Sequence, residues 1–159
     1  MSDEAELYLQ RAENELVAAQ VLFDVSSKVT LQKEEFKIEK EFTFYSAVIS
    51  HAYYCIFYAA KAMLIQEKIK TEASEVHKKT VEAFEEYLVK TGKLDVELLK
   101  ISQKIIVRAE ELLGIFSQEK RKRGEFTYQK LPQANKHPAK ESLDHAAFFF
   151  KNINKIVRK

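Results

Sequence analysis

The sequence predicts an all-α protein, an antiparallel bundle of four long helices plus a shorter fifth. Three observations carry that expectation. Glycine and proline, which punctuate strands and tight turns, number only three and two in 159 residues. Apolar residues recur at spacings of three and four in segment after segment, and no stretch alternates at the strand period of two. One block, Phe44 to Ile65 (FYSAVISHAYYCIFYAAKAMLI), is apolar on nearly every side, as a rod buried at the centre of a bundle must be.

The first helix is expected from about Asp3 to Asp24, where Leu9, Ala12, Leu16, Ala19 and Phe23 form one apolar stripe. Ser26 to Glu41 carries mixed charge around Phe36 and Ile38 and reads as a solvated connection. The rod follows, ending near Lys68. Its 22 residues are long enough to span a bilayer, but His51, Lys61, two serines and four tyrosines make it a buried helix instead. Thr71 and Ser74 are candidate caps for a third helix with Val76, Thr80, Phe84, Tyr87 and Leu88 facing inward, stopped by Gly92 as a left-handed residue. Asp95 is expected to cap a fourth, with Leu98, Ile101, Ile105, Ala109 and Leu112 inward and Gly114 at its end. After a less regular stretch, Pro138 suits the first turn of the last helix, whose Leu143, Ala146, Phe150, Ile153 and Val157 repeat without a break. Residues 1–159 are read as one domain.

Composition excludes more chemistry than it suggests. A single cysteine, Cys55, allows no intrachain disulfide and agrees with a cytoplasmic location, and the acidic, amphipathic start is no secretory signal. Gly92, Gly114 and Gly124 stand too far apart for a phosphate-cradling loop or a dinucleotide fingerprint. No cofactor is expected, and no metal: the nearest pair, Glu141 and His145, is unrepeated. His51, in mid-rod, reads as a buried imidazole bonded to a tyrosine or a carbonyl, and Tyr53, Tyr54 and Tyr58 as an aromatic band of the core. Apolar residues beyond one face, Phe148 and Phe149 beside Phe150 and Val17 and Ala18 beside Ala19, leave surface for a homodimer.

Charge is where the chain departs from the ordinary. Between Gln118 and Lys140 seven basic residues face two acidic ones, a local +5 in a chain of net +2. Within it, Arg121 to Tyr128 (RKRGEFTY) reads as a turn outside the clear helices. Arginine offers a planar fork for phosphate, tyrosine a face for a base, and Gly124 a place to bend. Arg121, Arg123 and Tyr128 are therefore the candidate nucleotide- or phosphate-binding residues, with His77, at the start of the third helix, beside them.

Four segments together resemble the HEPN family of small helical bundles. HAYYCIFYAAKAMLIQEK is similar to that family's second helix and SEVHKKTVEAF to its His-led third. RKRGEFTYQ is similar to its arginine–aromatic turn, and ESLDHAAFFFKNINKIV to its closing helix. The resemblance covers essentially the whole chain. It implies a homodimer, often encoded beside a nucleotidyltransferase partner protein in a toxin–antitoxin or stress module. Catalytic members are metal-independent ribonucleases that use an Arg followed closely by a His. Here the corresponding positions are Phe126, Thr127 and Tyr128 after Arg121, and Tyr128, Gln129 and Lys130 after Arg123; none is His. The reading that follows is a HEPN-like protein that binds a nucleotide, RNA or a nucleotidyltransferase partner, without the Arg–His pair. Two alternatives stand beside it: a metal-independent endoribonuclease with a degenerate site in which Arg123 and Tyr128 are the candidate catalytic residues, and a purely structural interaction bundle.

Overall fold

A computed structural model describes residues 1–72, 74–101, 107–125 and 136–159. Most of them are helical, with no strand among them. The elements are α1 (Asp3–Ser27), α2 (Val29–Glu34), α3 (Tyr45–Gln66), α4 (Val76–Ala83) running into a π-helical segment (Phe84–Val89), α5 (Lys93–Ile101), α6 (Ala109–Gly124) and α7 (Lys136–Val157). The α3 rod packs against α1, α6 and α7 and organises a helical bundle around itself.

Periodicity explains the three longest helices. On α1 the predicted stripe is buried at Leu9, Ala12, Ala19 and Phe23, and the Ser2 hydroxyl accepts the Ala5 amide at 3.1 Å to cap its first turn. α3 is long and apolar enough to cross a membrane, and 67% of its most apolar window is buried inside the bundle, as expected of a central rod. On α7, Ala139, Leu143, Ala146, Phe149, Phe150, Ile153 and Val157 turn into the core. Phe149 is thus part of the interior rather than of a dimer surface, whereas Val17 on α1 is exposed.

Three elements differ from the sequence expectation. The connection after α1 is not simply solvated: Lys28, in an extended conformation, breaks the chain into α1 and the short α2. The expected fourth helix is two. Arg108 is extended, so α6 begins at Ala109, and the Asp95 carboxylate accepts the Ala109 amide at 2.9 Å, capping α6 from within the first turn of α5. Gly114 therefore lies inside α6 instead of ending a helix, while Ile105 is outside the described residues. The third helix shifts to π bonding over Phe84–Val89, with the Lys90 amide reaching the Glu85 carbonyl at 2.8 Å. That widened turn rotates the following residues, so Phe84, Leu88 and Val89 are buried and Tyr87, expected inward, is exposed. Gly92 ends this helix with φ +76, the left-handed conformation anticipated for it. Neither expected cap serves α4: Thr71 is buried and bonds the Thr80 hydroxyl at 3.0 Å, and the residue at the N-cap position is Glu75, with φ 59 and no side-chain bond.

Candidate functional site

The described part of the basic stretch, residues 121–125, is helical rather than a turn. Arg121 to Gly124 form the last turn of α6, and the Glu125 amide still bonds back to the Arg121 and Lys122 carbonyls. Gly124 has no left-handed φ, and a Cβ added there would meet nothing within 4 Å, so no bend depends on it. Part of the charge has a local cause: Glu110 and Glu111 open α6 while Arg121, Lys122 and Arg123 close it, the arrangement that complements a helix dipole.

Helical geometry separates the two arginines. Residues two apart point to opposite sides of a helix. Arg123 turns inward and its Nη2 donates to the Tyr54 hydroxyl at 2.8 Å. Its guanidinium lies over the rings of Tyr54 and Tyr53, at 5.0 and 5.5 Å from their centres. Arg121 stays exposed and lines two clefts. One, about 430 Å³, runs along Lys78, Val81, Glu82, Ser117 and Lys120. The other, about 480 Å³, is lined by Gln118, Lys122, Glu125, His137, Pro138 and Glu141.

His77 joins the inward group. It meets the Tyr53 hydroxyl through Nδ1 at 2.7 Å and stacks on Phe57 with ring centres 4.3 Å apart. The structure thus brings Arg123, His77, Tyr53 and Tyr54 together and leaves Arg121 outside. Tyr128 lies outside the described residues. Tyr53 is fully buried and burial raises its hydroxyl pKa, so it is a neutral hydrogen-bonding group at ordinary pH.

Burial lowers the pKa of His77, and the positive charges of Arg123, Lys120 and Lys61 lower it further. The folded protein therefore binds this proton less readily than the unfolded chain does. Below the ordinary imidazole value of about 6.5 the unfolded state takes up a proton first, so the contribution of His77 to stability is complete above that pH and is lost as pH falls toward its folded value. Urea unfolding between about pH 8 and pH 5 should show this slope, and His77→Gln should flatten it. An identical slope in the variant would contradict the assignment.

His51 departs from expectation. It is only half-buried, and its partner is neither a tyrosine nor a carbonyl: Nδ1 donates to the Glu15 carboxylate across the α1–α3 interface at 2.5 Å.

Sequence reasoning passed over Glu119, which is fully buried between α6 and α7. Its Oε2 accepts from His145 Nδ1 at 3.1 Å, and Lys122 Nζ stands 3.5 Å from it and 3.0 Å from Glu141 Oε1. The hydrogen bond to Glu119 raises the pKa of His145. The only sequence signal for this cluster was Glu141 and His145 on one helix face, four residues apart.

No protein-family model matches the chain, and no curated protein does either.

Proposed function

We propose that this chain is a HEPN-like antiparallel bundle of four long helices plus a shorter one that binds a phosphate-bearing ligand, a nucleotide or RNA, at the C-terminal end of α6. In this reading it acts in the cytoplasm as a homodimer, within a toxin–antitoxin or stress module and beside a nucleotidyltransferase partner, and it lacks the Arg–His ribonuclease pair. The observation that carries the ligand class is Arg121, exposed between two clefts, one of whose walls adds Lys78 and Lys120. Cations held around a concave surface attract phosphate over any neutral ligand. Arg123 lies on the opposite side of the same helix end, where its guanidinium, seated over Tyr53 and Tyr54, is a further fixed positive charge. Tyr128 remains the candidate for stacking on a base.

The test is fluorescence anisotropy with a labelled single-stranded RNA and with ATP as competitor. Arg121→Glu should weaken RNA binding about tenfold or more, the worth of one charge-assisted contact turned repulsive. Its effect on stability should stay within about 0.5 kcal/mol because the side chain is exposed. Binding that survives in Lys120→Glu with Arg121→Glu would overturn the reading. Cleavage of the RNA in EDTA, lost in both Arg123→Ala and Tyr128→Phe, would replace it with the ribonuclease one.

A further inference from the structure

The cluster between α6 and α7 borders one of those clefts but does not depend on that reading. Glu119, Glu141 and His145 each offer a ligand atom, and these atoms lie within 4.8 Å of one another. Glu119 is completely withdrawn from solvent, and its Oε1 has no hydrogen-bond partner among the described residues. A buried carboxylate oxygen without a partner is expensive, because it has lost water and gained nothing in return. Oε1 shares a carbon with Oε2, which contacts His145, so this unmet acceptor sits at the cluster itself.

The chemistry of the donors narrows the ligand. Two carboxylates and one imidazole suit first-row divalent cations such as Zn²⁺, Mn²⁺ or Co²⁺ better than Ca²⁺ or Mg²⁺, which favour all-oxygen sets. The cleft of about 480 Å³ adjoining Glu141 and Lys122 would admit the water that completes the coordination. One group already answers part of the charge. The Lys122 ammonium touches both carboxylates, with its side chain 11% exposed at the edge of that cleft.

We propose that Glu119, Glu141 and His145 form a site for a first-row divalent cation, with Lys122 as the displaceable internal counter-ion. On binding, Lys122 swings out into the cleft and the metal takes its place between the carboxylates. The imidazole gives up its hydrogen bond to Glu119: the Nδ1 proton is released to solvent, Nε2 keeps or takes up a proton so that the ring stays neutral, and Nδ1 is presented to the metal. The metal joins α6 to α7 and supplies the partner that Glu119 Oε1 lacks.

Co²⁺ titration of the full chain tests this, because a four- or five-coordinate site containing nitrogen gives a visible band at longer wavelength and far stronger than the weak absorption of free Co²⁺. The native chain should develop that band, and Zn²⁺ should bleach it. His145→Ala, whose side chain is partly exposed, should abolish it while keeping the helical circular dichroism of the native chain. Glu119→Gln serves as the second ligand variant. Lys122→Met should tighten binding about tenfold or more, since the metal no longer has to displace an ion pair mostly withdrawn from water. A band that persists in folded His145→Ala and Glu119→Gln would overturn the proposal. So would the absence of a band in the native chain, whether or not one appears in Lys122→Met.

Discussion

Phe116→Ala lowers the free energy of unfolding by about 3–5 kcal/mol in urea titrations, with an unchanged denaturant slope. The reason lies in how many elements share that ring. Phe116 comes from α6 and is fully buried. Its centre is 5.8 Å from Phe84 of the π segment and 5.9 Å from Phe149 of α7, both in edge-to-face contact. It also lies 6.4 Å from Tyr53 on α3. Truncation removes the transfer energy of a large ring together with the quadrupolar contacts, and leaves a cavity bounded by three other elements. None of them can collapse into it without moving a whole helix. In a chain of 159 residues the melting temperature should fall by roughly 6–20 °C. Val96→Ala, at an exposed position on α5, is the control and should change stability by no more than about 0.5 kcal/mol. A cost for Phe116→Ala below about 1 kcal/mol would mean that the four-way aromatic contact does not hold the bundle together.

The parts of the fold that were legible in the sequence are those in which one helix has one buried face. The α1 stripe, the all-round apolar α3 and the repeat of α7 needed no knowledge of their neighbours. Legibility failed where a neighbour decides. Leu98 and Ile101 on one side of the α5–α6 break, and Ala109 and Leu112 on the other, fit one helical phase. The pattern therefore runs smoothly across Arg108, and the cap that starts α6 comes from Asp95 on the preceding helix. The π segment displaced Tyr87 by a bonding shift that periodicity does not encode. The basic run announced charge but not direction. Only once Arg121 to Gly124 prove helical does it follow that Arg121 and Arg123 face opposite ways. Glu119 was hidden for a similar reason, being one charge in a charged run whose burial and pairing with His145 of α7 depend on its neighbours.

A second large effect should come from a residue in the segment that composition assigned to solvent. Gln32 on α2 is almost fully buried and holds the connection between α1 and α3 through its amide. Its Nε2 donates to the Val25 carbonyl at 2.7 Å and to the Phe42 carbonyl at 2.8 Å, and its Oε1 accepts the Phe42 amide at 3.0 Å. The Gln32 carbonyl also accepts the Ile38 amide at 2.9 Å. Gln32→Met keeps the length and volume of the side chain but deletes its donors and its acceptor. Backbone groups at Val25 and Phe42 then lose their partner in a partly buried place, and the expected cost is about 2–4 kcal/mol. Hydrogen exchange tells this clasp apart from general loosening. The Phe42 amide should exchange at least about tenfold faster, while amides in the middle of α3 should change only as far as global stability falls. Ser26→Ala is the companion test, since the Ser26 hydroxyl accepts the Phe44 amide at 2.7 Å where α3 has no side-chain cap of its own. If the Phe42 amide exchanges at the native rate in Gln32→Met, the position of the connection is set by the ends of α1 and α3 alone. The buried glutamine would then be a passenger.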